Sequence, residues 1–169
     1  MRKSGKRTSA SAPDLTADGY WFDAVAARKA ERFFPLFLRH VKGEKAGQPL
    51  VLQPWVVQQI IHPLFGWKRA DGLRRYRMAH VEVPKKNAKS TIAAGVGLYL
   101  TGFDGEPGAE VYSAASDKEQ ASIVHDLARE MVLQSPELSA RMKPYRRSIV
   151  HQASSSFYRV LSADVKSKH

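Results

Sequence analysis

The stretch 75–102 constrains the fold most, because a strand, a basic loop and an apolar helix follow one another there. Residues 75–83 predict a strand whose end is buried on both faces. After a loop, the apolar run that closes at Gly102 predicts a helix. Two glycines inside this run, Gly95 and Gly97, lower its helix propensity and indicate that the helix packs closely against a sheet.

A second strand and helix follow directly. Residues 109–115 predict the strand, and an apolar stripe within 118–134 predicts the helix. A capping box is expected at the start of this helix, formed by Ser116, Asp117, Lys118 and Glu119. Two strand–helix units joined by short loops favour an α/β domain with a parallel sheet. Residues 148–164 predict a β-hairpin with its turn at 153–156.

The N-terminal part is predicted to be mainly helical. The spacing of apolar residues in 20–40 predicts a helix with a break or kink near Pro35. A loop is expected at 42–49, and a short helix from Pro54, because proline suits the first helical position. Residues 1–17 are basic and rich in Ser and Ala, which predicts a disordered tail that either contacts DNA or is simply solvated.

The charge of the chain indicates a class of partner. Lys and Arg number 27 against 16 Asp and Glu, so the formal net charge is +11. This excess favours a polyanion, with nucleic acid as the leading class, although a solvated basic face gives the same composition. The absence of cysteine excludes disulfides and thiolate metal sites. No apolar run approaches the ~18 residues of a membrane span, and the six histidines lack zinc-ligand spacing.

The loop between the first strand and its helix looks like a degenerate phosphate-binding loop. Against the pattern G-x-x-x-x-G-K-[ST], Val83 and Ala88 stand at the glycine positions, while Lys89 and Ser90 match. Backbone N–H groups at a helix start attract phosphate, so the loop needs a backbone shape more than a side chain. Lys89 is expected to neutralise phosphates and Ser90 to hold Mg²⁺. The alternative is an ordinary helix N-terminus with a solvated lysine.

A second candidate site is a basic cluster with two interleaved aromatic residues, Trp67 and Tyr76. Its cations are Lys68, Arg69, Arg74, Arg75 and Arg77. They are expected to contact DNA phosphates, which fix position without reading sequence. A solvated basic face explains the cluster equally well.

The segments 52–100, 105–132 and 161–169 resemble, in order and spacing, the N-terminal ATPase region of the large terminase subunit of tailed double-stranded DNA phages. The resemblance covers most of the chain from about residue 31 to residue 169. Members of that family carry a glycine-poor Walker A loop of the form basic-Lys-Asn-Gly-Lys-Ser/Thr. This chain departs from that form at Ala88, where the family usually has glycine.

The resemblance implies a fold and a domain organisation. The fold would be α/β of the P-loop NTPase type, in the ASCE class, with an incomplete parallel sheet flanked by helices. The chain would divide into a basic tail (1–17), an N-terminal helical segment (18–66) and a partial ATPase domain (67–169). The family's C-terminal nuclease domain, which has an RNase H-like fold, would be absent.

The resemblance also implies a motor that uses ATP and Mg²⁺ to pump phage DNA into a capsid. The implied partners are double-stranded DNA, the portal protein, the small terminase subunit and further copies of the chain, with no membrane, in the cytoplasm of an infected bacterium. The implied nucleotide contacts are Lys85, Lys86, Asn87, Ala88, Lys89, Ser90 and Thr91. Lys85 would sense the γ-phosphate. Gln53, with Gln58 as the alternative, would contact adenine, because Val56 stands where the family has glutamine.

ATP hydrolysis in this family needs a further strand that ends in an Asp for Mg²⁺ and a Glu for the attacking water. No apolar run in the sequence ends in Asp-Glu, and Asp164 falls shortly before the place where that strand is expected. We therefore expect a truncated ATPase domain without catalytic carboxylates, which binds ATP, hydrolyses it poorly and leaves the centre of its sheet unpaired. The alternative function is a non-enzymatic basic module that binds DNA or a packaging partner.

Overall fold

The structure, a computed structural model, describes residues 15–84, 87–115 and 118–161, with the backbone alone for 118–121. Most of the predicted basic tail lies outside the described residues, and so do Lys85, Lys86 and Asp164. The predicted capping box falls at 116–119, so its side chains lie outside the described part as well.

The N-terminal segment begins with strand β1 (Tyr20–Phe22) and helix α1 (Ala24–Phe37). The Asp23 carboxylate caps α1, because its Oδ1 accepts hydrogen bonds from the N–H groups of Val25 (3.0 Å) and Ala26 (2.9 Å). The helix runs through Pro35 and ends two residues later. Pro35 lies in the last turn of α1, so the N–H group that proline lacks is missing only from that turn. The predicted break therefore lies at the helix end rather than at Pro35 itself.

The predicted short helix from Pro54 is confirmed. It consists of α2 (Pro54–Val56), a π-helical stretch (Val57–Ile61) and α3 (His62–Gly66), which follow without a gap. Strand β2 (Trp67–Arg69) comes next and pairs antiparallel with β1. Strand β2, which directly follows the N-terminal segment, is therefore joined to the start of that segment, and α3 packs along α1.

The main sheet has four strands in the order β3-β6-β5-β4: β3 (Glu110–Ala114), β4 (Met142–Pro144), β5 (Ser148–His151) and β6 (Ser156–Leu161). Helices α5 (Lys118–Gln134) and α6 (Pro136–Ser139) connect β3 to β4. Only β3 and β6 are parallel, so the sheet is mixed and the prediction of a parallel sheet is wrong for the other pairs. Strands joined by tight turns must run antiparallel, as the confirmed β5–β6 hairpin does.

The predicted strand at 75–83 is wrong in the described structure. Residues 76–84 form no regular secondary structure and pair with no strand among the described residues, and Met78 is 88% exposed. The start of this segment is attached to β2, because the N–H of Arg75 donates to the carbonyl of Trp67 (2.9 Å). A strand needs a neighbour to complete its hydrogen bonds, and apolar composition alone does not supply one. We call residues 76–84 the strap.

Helix α4 (Lys89–Gly102), which ends as predicted, lies between α1 and the main sheet. A Cβ on Gly95 would overlap the ring of Phe34 on α1, and a Cβ on Gly97 would lie 2.9 Å from Cε1 of Tyr158 on β6. The expected close packing against a sheet is therefore confirmed for Gly97, whereas Gly95 faces a helix. Buried side chains from both halves of the chain form one core around α4, and none of the helices described here has the length and apolarity of a membrane span.

Gly95→Ala tests this packing. Alanine should raise helix propensity by up to ~1 kcal/mol, but overpacking against Phe34 should cost about 1–3 kcal/mol. We expect a net loss of stability in urea denaturation. Adding Phe34→Leu makes room for the methyl group, so the double variant should lose less than the sum of the two single losses. Gly95→Ala as stable as the unchanged chain would contradict the described contact.

His125 on α5 gives the core a dependence on pH. Its side chain is fully buried, and neither ring nitrogen has a hydrogen-bond partner in the described part of the chain. Burial lowers the pKa of His125; Asp126 opposes this shift and Arg129 adds to it. Because the folded pKa is below the unfolded value, the unfolded state binds the proton first, and stability falls as the pH drops below about 6.5.

Between pH 7.5 and pH 5, the free energy of unfolding should therefore fall less in His125→Leu than in the unchanged chain. Denaturation at the two pH values measures this difference. Asp126→Asn is the matched probe, because it removes the carboxylate that raises the pKa of His125 and should steepen the loss. Equal pH slopes in all three proteins would show that protonation of His125 does not limit stability.

Candidate functional site

The residue before α4 has an unusual backbone. Ala88 is the N-cap and adopts φ 53° and ψ 26°, which is the left-handed region. An L-residue with a Cβ pays about 1–2 kcal/mol to be there, whereas glycine does not. Ala88 therefore holds, at the cost of local strain, a conformation that glycine adopts freely.

The first turn of α4 presents free N–H groups. The carbonyl of Ala88 already accepts the N–H of Ile92 (2.9 Å), but no side chain of the described residues caps the helix start. The N–H groups of Lys89, Ser90 and Thr91 come before the first intrahelical donor. Together with the helix dipole they form a positive, donor-rich end that suits an anion.

The loop in front of α4 is closed by a side chain. The Nδ2 of Asn87 donates to the carbonyl of Pro84 (3.2 Å), so this hydrogen bond joins the end of the strap to the residues just before α4. Asn87 and Ala88 are both exposed, and so is Lys89. The hydroxyl-bearing Ser90 and Thr91 are half-buried beside them. The structure thus brings together the predicted loop residues from 87 to 91.

Two cavities flank this helix start. The first is an apolar groove of about 270 Å³, lined by Lys89 together with Trp55, Val83 and Ile92. The second, of about 430 Å³, has a mixed polar and apolar lining that includes Thr91. Two residues in the first turn of α4 therefore face different surroundings, with Lys89 beside the strap and Thr91 beside α5.

The structure does not place the predicted adenine contact, Gln53, in the cavity that contains Lys89. Gln53 is exposed at the start of α2, where its carbonyl accepts the N–H of Val56 (2.9 Å). None of the described cavities contains both Gln53 and Lys89. Trp55, two residues further on, does share the apolar groove with Lys89. Sequence reasoning missed Trp55, although an aromatic residue directly after the helix-starting proline was the available signal.

Comparison with known proteins decides the family. The sequence model of "Terminase large subunit, ATPase domain" matches residues 54–168, more than half of the chain. The chain belongs to this family. It is 29% identical over 131 residues to the terminase large subunit of Enterobacteria phage HK97, which covers 76% of this chain and 25% of that protein.

The fold is similar to a solved terminase. The crystal structure of the HK97 bacteriophage large terminase matches with a TM-score of 0.69 and 27% identity, covering 85% of this chain and 28% of that one. The chain thus spans about a quarter of the length of the relatives it matches. An α/β terminase ATPase region with a mixed sheet is what these similarities show.

In this terminase chain, some cations of the predicted DNA-contacting cluster make ion pairs and others do not. Arg69 pairs with Asp71 (2.8 Å), and Arg74 pairs with Asp104 (3.2 Å). Lys68 and Arg77 make no ion pair within the described part of the chain. The cations available to phosphate without breaking a pair are therefore fewer than the sequence indicates.

Arg75 is held by aromatic rings. Its guanidinium carbon lies 4.2 Å from the ring centre of Tyr20, 5.1 Å from that of Tyr76 and 5.7 Å from that of Trp67. Such cation–π contacts fix the side chain as well as stabilise it. The sequence placed Trp67 and Tyr76 near Arg75 but gave no signal for Tyr20, which comes from β1.

The metal-ligand chemistry of the described residues is limited. No group of three or more His, Asp or Glu side chains among them could hold a metal ion by itself. For Mg²⁺ carried by a nucleotide, the Ser90 hydroxyl at the donor-rich helix start is a chemically suitable oxygen ligand.

Ala88→Gly tests the strain at the loop. The same exchange is expected to have opposite effects at two exposed positions near the start of α4. Ala88→Gly should be neutral or stabilising by up to ~1 kcal/mol, because relief of the left-handed strain outweighs the extra freedom of the unfolded chain. Ala93→Gly, inside the helix, should cost ~1 kcal/mol. Urea denaturation measures both, and equal losses at both positions would show that Ala88 is not left-handed in solution.

Proposed function

We propose that this chain is the nucleotide-binding part of an ATP-driven DNA packaging motor, with a P-loop of the ASCE class. The observation that carries the proposal is the left-handed turn at Ala88. It opens the uncapped start of α4 directly before Lys89, in a chain of the terminase ATPase family. A turn of this shape aims successive N–H groups at one point, which a phosphate chain can occupy.

The residues present fit ATP and Mg²⁺. The first-turn N–H groups of α4 would hold phosphate oxygens, and the exposed Lys89 ammonium would neutralise the β- and γ-phosphates. The Ser90 hydroxyl would be a ligand of the nucleotide's Mg²⁺, with Asn87 and Thr91 completing the loop. Lys85 and Lys86 would add charge at its start, and Lys85 would sense the γ-phosphate.

Adenine recognition is proposed for the helix that begins after Gln53. Gln53 is exposed and stands two residues before Trp55, which lines the same groove as Lys89. Gln58, also exposed on the same helical run, is the alternative donor. Val56, at the position where the family has glutamine, is buried in the core and cannot take this role.

DNA and packaging proteins are the proposed partners. A net charge of +11 suits double-stranded DNA, and Lys68 and Arg77 are the cluster cations that have neither an ion pair nor a ring contact among the described residues. The portal protein, the small terminase subunit and further copies of the chain are proposed as the other partners, in the cytoplasm of an infected bacterium. We also infer that this chain alone turns ATP over slowly, because no apolar run in it ends in Asp-Glu.

The test is a titration with a fluorescent ATP analogue and Mg²⁺, with phosphate release followed in the same samples. Lys89→Ala should weaken binding at least about tenfold, a loss of about 1.4 kcal/mol. Lys68→Ala, which removes the same charge from a different surface, should leave nucleotide affinity unchanged and weaken binding to duplex DNA. Phosphate release should be slow in every sample.

Two results would change the conclusion. Binding that is equal in the unchanged chain and in Lys89→Ala would remove the loop from the nucleotide site. No binding by either protein, with DNA binding retained, would favour the alternative of a basic module that binds DNA or a packaging partner.

A further inference from the structure

A basic, apolar groove runs along the outer face of α1, away from the nucleotide loop. We call it the α1 groove. Its volume is about 360 Å³, and its rim on α1 carries Val25, Lys29, Arg32 and Leu36. Its floor includes Phe37 and Phe103. No residue of the candidate nucleotide site lines it.

The rim residues follow the spacing of one helix face. Positions 25, 29, 32 and 36 are separated by four, three and four residues, so they lie in a line along α1. The two ends of this line are apolar and open to solvent, since Val25 is 71% exposed and Leu36 is 52% exposed. The two central positions, Lys29 and Arg32, are cationic and exposed.

The floor is aromatic and rigidly supported. The ring of Phe103, just beyond α4, lies 4.8 Å from the ring of Phe37 and 4.7 Å from that of Phe33. Phe33 is buried in the core, so the groove cannot collapse without disturbing the packing below it. A preformed groove of this kind loses little conformational entropy when a partner enters it.

The charge of the groove has one sign. Its lining includes Arg28, Lys29 and Arg32 but no Asp or Glu. None of these three cations pairs with a carboxylate of the described residues. A fourth cation, Arg141, places its guanidinium 5.8 Å from the ring centre of Phe103. Unpaired cations beside exposed apolar side chains are complementary to a partner that carries negative charges and apolar side chains.

We propose that the α1 groove docks an acidic amphipathic helix of a different protein. Two apolar side chains of that helix would cover Val25 and Leu36, which are about 16 Å apart along α1. Carboxylates between those two side chains would meet Lys29 and Arg32. This pairing follows the helix-in-groove mode of recognition, in which anchors recur along one face of the bound helix.

Two other occupants match the groove less well. A second copy of the chain would bring a net charge of +11 to a basic surface, and the first 14 residues, with four cations and one carboxylate, have the same sign. Nucleic acid would satisfy the cations but would leave Val25 and Leu36 in water, because phosphates do not cover apolar surface.

The experiment measures binding of a designed peptide by fluorescence anisotropy at low salt. The probe is a fluorescein-labelled alanine-based helix with two leucines eleven residues apart and four glutamates between them. One control peptide has lysine in place of glutamate, and another has serine in place of leucine. The unchanged chain should bind the probe saturably and both control peptides at least about tenfold more weakly.

Variants of the chain locate the site. Arg32→Glu should weaken probe binding at least about tenfold and Leu36→Ser about fivefold. The matched controls are Arg146→Glu and Leu133→Ser, which make the same changes at exposed positions outside the groove and should change affinity less than about twofold. Leu133 is 50% exposed, close to the value for Leu36.

Four results would overturn the proposal. The first is no saturable binding of the probe, and the second is an equal loss in Arg32→Glu and Arg146→Glu. The third is no effect of Leu36→Ser while duplex DNA displaces the probe, which would mark a general polyanion surface. The fourth is a concentration-dependent dimer in sedimentation that Arg32→Glu abolishes, because the groove would then bind a second copy.

Discussion

Helix α4 packs against α1 on one side and against the main sheet on the other, and the two approaches use different glycines. The ring of Phe34 lies over Gly95, and the ring of Tyr158 lies over Gly97. A Cβ at either position would push one neighbour away. Helix α1, helix α4 and the main sheet can therefore pack this closely only because both positions are glycine. One end of α4 carries the candidate nucleotide loop, and the aromatic residues at its other end form the floor of the α1 groove. Both candidate sites are therefore positioned by the same helix.

The nucleotide loop depends on backbone shape more than on side chains. A left-handed residue, an uncapped helix start and one hydrogen bond from Asn87 create a place for an anion before any cation is considered. Lys89 then adds charge from an exposed position, where water and salt weaken its field. Alanine at the second glycine position removes the sequence signal, yet Ala88 adopts the left-handed conformation that glycine favours.

Local patterns in the sequence predicted the elements that depend on local interactions. The helix closing at Gly102, the helix after Pro54 and the β5–β6 hairpin are confirmed, because propensity, caps and tight turns act over a few residues. The strand at 75–83 was not predictable in this way, because its hydrogen bonds require a distant neighbour. The mixed sheet has the same cause, since strand direction depends on connections and partners rather than on composition.

In the candidate sites, too, features that depend on neighbouring residues were predictable and features that depend on distant residues were not. The loop residues Asn87 to Thr91 adjoin in sequence and therefore in space, so the motif was sufficient to group them. The left-handed angle at Ala88 was not predictable, because alanine rarely adopts it. The ring contacts of Arg75 and the ion pairs of the basic cluster join residues that are far apart in the chain. The sequence therefore predicted the presence of the cations but not which of them already make ion pairs or ring contacts.

The strap is anchored at both ends although its middle is unpaired. Before it, Arg74 pairs with Asp104, and the ring contacts of Arg75 attach the chain to β1 and β2. After it, the hydrogen bond from Asn87 to Pro84 closes the chain onto the start of α4. Fixing the ends of a segment removes much of its loop entropy in advance. A strand that paired with the strap would therefore order mainly its own backbone, and it would lie beside the loop that carries Lys89.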